Sequence, residues 1–236
     1  MNYRSESYKI LSESLKEKKK YFVKISGKKF VVYPNVFSPK YFNDSKFFAT
    51  KLPIKKDGSL LEIGCGTGIV SIFALIRGAA KAVCVDINSE ACKNTLENAA
   101  LHKLEKKIKV IRSDLFSKTN DEKFDVIFWN LPFGFTRKKL SIIEKSILDT
   151  DYRSIEKFFR KADKHLEPNG RIFIGFSKNI GNFRLLEKKA LITNHDLVLV
   201  KGRSSKQSNL TGALPLKYQI YQLVPRLANF SRSSPL

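Results

Sequence analysis

The sequence predicts an α/β fold, a mostly parallel sheet covered by helices on both faces. Three observations predict it. From Ser59 onward, short apolar runs alternate with runs of helical period or composition, as in strand–helix–strand units. The first of these apolar runs, Leu60–Ile63, ends in Gly64-Cys65-Gly66-Thr67-Gly68 and passes straight into the helix-like Ile69–Arg77. A strand, a glycine turn and a helix start make the crevice where parallel sheets take nucleotide-like ligands. The chain has 236 residues, 42% of them apolar, enough for one large domain with a sizeable core and a small addition.

In chain order, residues 3–20 read as a helix, with Lys16, Lys18, Lys19 and Lys20 at the end where cations suit the helix dipole. Tyr21–Ile25 and Phe30–Tyr33 are β-rich around Ser26-Gly27-Lys28-Lys29, which predicts a hairpin. Residues 1–33 are therefore expected to form a basic helix-and-hairpin extension, and 34–236 the main domain. Lys46–Leu52 is helix-like. Strands are expected at Leu60–Ile63, Ala82–Asp86, Ile108–Arg112, Phe124–Trp129 and Arg171–Phe176. Helices are expected at Ile69–Arg77, Ser89–His102 and Ile155–His165, and Leu166–Gly170 reads as a turn. Leu197–Lys201 and Lys217–Leu223, joined by Gly202–Leu216, predict an antiparallel hairpin closing one edge. With that hairpin the sheet has seven strands.

Composition narrows the setting. No apolar run approaches ~18 residues, so no transmembrane helix is expected, and the first twenty residues contain no apolar stretch of the signal-peptide kind. Cys65, Cys84 and Cys92 are odd in number and form no Cys-x-x-Cys pair, which points to a reducing, cytoplasmic setting. Cys65 reads as a small packing residue. His102, His165 and His195 are scattered, so no metal-ligand spacing appears. Lys and Arg number 44 against 22 acidic residues, a net charge of +22. Such an excess suits a polyanionic partner, RNA or DNA. Residues 197–236 contain no Asp or Glu but include Lys201, Arg203, Lys206, Lys217, Arg226 and Arg232. If both basic ends flank the strand C-termini, they would border a polyanion track.

The dinucleotide fingerprint G-x-G-x-x-G would need glycine at position 69, which is Ile69. The third glycine is Gly68, giving G-x-G-x-G after Glu62 and Ile63. This resembles motif I of the class I S-adenosylmethionine (SAM) methyltransferases, and the resemblance implies their Rossmann-like fold and SAM as cofactor. Glu62, Gly64, Cys65, Gly66, Thr67 and Gly68 would form the cofactor loop. Val83-Cys84-Val85-Asp86 is an apolar strand ending in an acid, whose carboxylate can accept from both ribose hydroxyls, with Ile87 beside it. Asn88 and Ser89 compete better than Asp86 to cap the next helix. Arg112-Ser113-Asp114-Leu115-Phe116 resembles the family's adenine corner; Asp114 would accept from the adenine N6 amine and Leu115 would touch the base.

Phe124–Phe133 is an apolar strand ending in Asn130-Leu131-Pro132-Phe133. It resembles motif IV of the amino-group methyltransferases, usually Asn-Pro-Pro-Tyr or Asn-Pro-Pro-Phe. A planar NH2 conjugated to a base or an amide is a poor nucleophile because its lone pair is delocalised. The Asn130 side-chain oxygen and the Leu131 carbonyl can accept its two hydrogens and draw the nitrogen toward tetrahedral geometry. Phe133 would stack on the flat acceptor group. Leu131 stands where the family has proline, so the carbonyl is kept and the rigidity is lost. Asn130 would also border the cofactor.

Asn35-Val36-Phe37-Ser38-Pro39, followed by Asn43-Asp44-Ser45, is similar to a segment in the group containing rRNA guanine-N2 and release-factor glutamine methyltransferases. By that resemblance Phe37, Pro39, Asp44 and Ser45 would line the methionine end of SAM. Arg137, Lys138 and Lys139 read equally as a grip on substrate phosphate or as a solvated loop. The resemblance spans about residues 30–200. Charge and motif IV favour a base in RNA as acceptor. A protein side-chain amide or small amine, or a non-catalytic RNA-binding module, stand as alternatives.

Overall fold

The computed structural model describes residues 3–204 and 217–226. Helix α1 (Tyr3–Ser14) precedes the hairpin β1 (Tyr21–Ile25) and β2 (Lys28–Val32), and α2 (Asp44–Lys51) leads into the main sheet. There follow β3 (Ser59–Ile63), α3 (Ile69–Ile76), β4 (Lys81–Asp86), α4 (Ser89–Leu101), β5 (Ile108–Arg112) and β6 (Phe124–Asn130). Two short strands, β7 (Gly134–Thr136) and β8 (Leu148–Thr150), come before α5 (Arg153–Ala162). The chain closes with β9 (Leu166–Phe176), α6 (Phe183–Ile192), β10 (His195–Ser204) and β11 (Lys217–Pro225).

The seven-stranded sheet has the order β10-β11-β9-β6-β3-β4-β5. The pairs β3–β4, β4–β5, β3–β6 and β6–β9 are parallel, and β11 is antiparallel to both of its neighbours. The expected parallel sheet with an antiparallel C-terminal hairpin is present; its connection, residues 205–216, and the tail with Arg232 lie outside the described residues. Strand β3 is buried along its whole length, because helices cover both faces of its pleat. Aromatic side chains fill the centre: Phe48, Phe128 and Phe173 are fully buried. No described helix is long and apolar enough to cross a membrane.

The N-terminal hairpin shares this core through Ile25 and Phe30. Its outer edge is closed by side chains of α4. Asn98 Oδ1 accepts from Val31 N at 2.8 Å, and Asn94 Oδ1 accepts from Tyr33 N at 2.9 Å. Asn98 Nδ2 also donates to the Thr67 carbonyl at 2.9 Å, which ties the hairpin to the glycine loop.

Three expectations are corrected. Helix α1 stops at Ser14, whose hydroxyl donates to the Leu11 carbonyl at 2.8 Å; Lys16–Lys20 lie beyond the helix, where the chain turns into β1. Leu166–Gly170 is assigned to the start of β9, although it keeps turn character. Leu166 pairs with Phe124 and Arg171 with Val126, so Glu167–Gly170 bulge, with Asn169 at φ 65°. Helix α6 occupies a stretch to which the sequence reading gives no element. It starts on Asn182, whose Oδ1 accepts from Leu185 N at 3.1 Å, and buries Leu186 and Ala190 one turn apart.

Candidate active site

The order of strands reverses between β3 and β6, and a cavity of about 350 Å³ opens at the C-terminal ends of β3, β4, β5 and β6. That is where open parallel sheets bind ligands, and the volume suits a small molecule. The three loop glycines all have positive φ, 66° at Gly64, 54° at Gly66 and 74° at Gly68, so an alternating glycine pattern is what this turn requires. Their surroundings differ. A Cβ on Gly66 would meet nothing within 4 Å, leaving the backbone open to a ligand. A Cβ on Gly68 would sit 2.7 Å from Thr95 Cγ2. Gly68 therefore lets α3 pack on α4 and does not border the cavity, a correction to its expected place in the cofactor loop.

Glu62 ends the buried run of β3. It accepts from Ser71 N at 2.9 Å and Ser71 Oγ at 2.5 Å, fixing the first turn of α3 to the strand. Burial, with Asp86 nearby, pushes its carboxyl up to about 8. In the unfolded chain Glu62 ionises in the ordinary carboxylate range, near 4.5. Between those values the native state holds one more proton, so stability falls as pH rises through that window. Glu62→Gln keeps an acceptor for Ser71 and removes this titration. Urea midpoints measured from pH 5 to 8 should fall less steeply in the variant; equal slopes would contradict the assignment.

Asp86 ends β4. Its Oδ2 accepts from Gly66 N at 3.0 Å and its Oδ1 from Asn88 N at 2.9 Å, so the acid braces the glycine loop. Burial raises its pKa. The cap of α4 is Asn88, accepting from Glu90 N at 3.0 Å. Asp114 and Leu115 follow β5 and line the cavity with Ile87; Leu115 is held at φ 49°. Cys65 lines it too, but hydrogen bonding to Cys84 and burial push its thiol up, so it packs and stays protonated.

Asn130, the last residue of β6, is set by a partner far away in sequence. Its Nδ2 donates to Asp44 Oδ2 at 2.9 Å, and Asp44 sits at the start of α2, 3% exposed. Asn130 Oδ1 is buried without a hydrogen-bond partner. Opposite it on β9 is Gly175, where a Cβ would come within 3.0 Å of that oxygen and 2.6 Å of Phe48 Cζ. Burial raises the Asp44 pKa, opposed by the bond from Asn130.

Phe37, Ser45, Glu62, Gly64, Cys65, Gly66, Thr67, Asp86, Ile87, Asp114, Leu115, Asn130 and Pro132 thus converge on one cavity. Besides Gly68, four expected residues are not on its wall. Pro39 is buried in its own loop. Leu131 is buried, its N donating to the Gly175 carbonyl at 3.1 Å. Asp44 lies behind Asn130 and holds it. Phe133, expected to stack on an acceptor, packs edge-on against Phe176 with ring centroids 5.7 Å apart, and its carbonyl accepts from the Tyr152 hydroxyl. An aromatic pocket formed by β9 and the N-cap of α5 has captured the ring.

The outer wall carries no motif in the sequence. Leu140, Ile142, Ile143, Lys145 and Asp149 border the cavity from the segment between β7 and α5, and Arg153, Ser154 and Lys157 border it from α5. Arg137, Lys138 and Lys139 are exposed on the same segment but do not line it. Helix α1 braces this wall through Leu11, packed with Ile147 and Leu148. Trp129, the one tryptophan of the chain, also lines the cavity, its Nε1 3.1 Å from where a Gly64 Cβ would stand.

A family model described as the methyltransferase small domain matches residues 27–198. A candidate protein N5-glutamine methyltransferase of Methanocaldococcus jannaschii is 40% identical over 47% of this chain and 54% of its own length. The release factor glutamine methyltransferase of Aquifex aeolicus is 29% identical over 71% of this chain and 65% of its own length. The tRNA1(Val) (adenine(37)-N6)-methyltransferase of Parabacteroides distasonis is 28% identical over 61% and 62%. The matches thus span between half and two thirds of these relatives. Among solved structures, the T. thermophilus 16S rRNA N2 G1207 methyltransferase shares the fold, with a TM-score of 0.57 and 18% identity over 88% of this chain and 50% of that one.

Proposed function

The chain belongs to the methyltransferase small domain family, and from that premise we propose that it is a SAM-dependent N-methyltransferase whose acceptor is a planar amino nitrogen on a base in RNA. When bound, SAM supplies a methyl group on a positively charged sulfur. The residues present fit that ligand: the open face of Gly66, a cavity of suitable size, and the acids Glu62, Asp86 and Asp114 along one wall. Asp86 has further lone pairs on both oxygens for a pair of vicinal hydroxyls. Asp114 would accept from an exocyclic amine beside Leu115. Asp86 and Asp114 put acidic groups next to a cationic ligand, while Glu62, its carboxyl pushed up by burial, adds a polar contact. Residues 34–236 would form the catalytic domain, with 1–33 as its extension.

The observation that carries the reading is Asn130, which lines the cavity beside the glycine loop and whose Oδ1 is buried without a hydrogen-bond partner. An acceptor N–H would satisfy that oxygen, and the Leu131 carbonyl would take the second hydrogen. Both bonds localise the nitrogen lone pair, and no strong base is needed because the proton leaves after transfer. The rest of the rate comes from holding nitrogen and methyl in line. The basic excess of the chain supports RNA as the acceptor.

A side-chain amide of glutamine presents the same planar NH2, and two relatives bear that activity in their names. Incubation with radiolabelled SAM and total RNA, total DNA or protein extract separates the readings. Label is expected in RNA. Label in protein alone would replace the acceptor while keeping the chemistry, and no label anywhere, with no SAM binding by calorimetry, would overturn the enzyme.

A further inference from the structure

The cavity has walls of opposite charge. Glu62, Asp86 and Asp114 line the side made by the strand ends, whereas Lys145, Arg153 and Lys157 line the side made by the segment before α5 and by α5 itself. The acidic wall suits a cationic cofactor. The basic wall has no such explanation within the chain. Arg153 makes an exposed pair with Asp151 at 3.2 Å, but Lys145 and Lys157 are exposed and form no ion pair among the described residues. The acid on the same wall, Asp149, is committed elsewhere. It is buried, and its Oδ2 accepts from Ile155 N at 3.0 Å, capping α5. Burial also raises its pKa, which weakens its charge as a counter-ion. Beside Lys145 the wall is apolar, with Leu140, Ile143 and the half-exposed Ile142.

Unpaired cations next to an apolar shelf, at the mouth of a cavity that holds an amide acceptor, suit a ligand that is flat at one end and anionic at the other. We propose that Lys145 and Lys157, assisted by Arg153, bind backbone phosphates of an RNA strand on either side of the nucleotide whose base reaches Asn130. This rests on the RNA reading above and adds to it a phosphate subsite distinct from Arg137, Lys138 and Lys139. A glutamine-bearing peptide would use this wall only if it carried acidic side chains beside the glutamine, whereas every nucleotide of an RNA strand brings a phosphate.

The test is fluorescence anisotropy of a labelled, mixed-sequence single-stranded RNA over a salt series. The double variant Lys145→Gln, Lys157→Gln is compared with wild type and with Lys106→Gln, Lys107→Gln, an exposed pair before β5 at the opposite end of the strands. The cavity variant should bind more weakly, with the slope of log K against log salt reduced by about 1.4, or ~0.7 for each lost phosphate contact. SAM affinity by calorimetry and the thermal midpoint should not change, and the control pair should retain the wild-type slope. Equal affinity and slope in the cavity variant would overturn the subsite, as would an equal loss in the control pair. If RNA takes label from both wild type and cavity variant with the same KM for RNA, the subsite fails and the RNA reading stands. If only protein takes label and wild type binds no RNA, both fail.

Discussion

Replacing Asn130 with alanine is expected to lower methyl transfer by roughly 10²–10³-fold, the cost of removing one preorganised polar contact to the reacting group, while SAM affinity stays nearly intact. The asymmetry follows from where the side chain sits. Asn130 Oδ1 is buried and unpartnered in the protein, so its natural partner is the acceptor nitrogen. The contacts that brace the glycine loop, Asp86 on Gly66 and Glu62 on Ser71, do not pass through it. Alanine would also leave Asp44 Oδ2 without its Asn130 donor, a buried loss of about 1–3 kcal/mol. The variant should therefore melt earlier yet remain folded. Single-turnover transfer from labelled SAM gives the first quantity and calorimetry the second. Full retained transfer would remove Asn130 from the reaction, and loss of SAM binding would make it a cofactor residue.

The parts of this site that were legible in sequence are those whose chemistry is local. Gly64, Gly66 and Gly68 were readable because each φ is positive, a demand that alternate glycines announce. Asp86 and Asp114 were readable because they end or follow apolar strands. What depended on distant chain was hidden. Gly68 faces Thr95 on another helix, so its packing role has no local sign. The ring of Phe133 matches its motif, but its burial is decided by Tyr152 and Phe176. Strands β7 and β8 have three residues each, too short for a period to show, and their pairing makes the outer wall possible. Lys145, Arg153 and Lys157 belong to no motif and meet only because that wall folds over the strand ends. The run Lys16–Lys20 misled in the other direction: its composition suits a helix end, and the chain had already left the helix.

Asp44 is the largest case of a residue placed by the fold and not by its neighbours, and its removal is the second large effect expected. It lies 86 positions from Asn130, and their hydrogen bond decides which way the amide points. With Nδ2 held by a carboxylate, the oxygen must take the other side, where only a glycine at position 175 leaves room for it beside the Phe48 ring. Asp44→Ala removes that preference. The amide can then turn over and present NH2 where an acceptor is needed, and a misdirected reacting contact costs on the order of 10²-fold in kcat. KM for SAM should change little, because Asp44 does not line the cavity. Asp44→Asn should recover much of the rate, since its own amide oxygen can accept from Asn130. The recovery will be incomplete, because that single oxygen cannot also replace the bond from Ser45 N at 2.8 Å. A purely structural role predicts a different pattern: both variants would lower the thermal midpoint while the folded fraction kept wild-type kcat. Steady-state kinetics on the two variants, with melting curves alongside, distinguish orientation of the amide from simple support of α2.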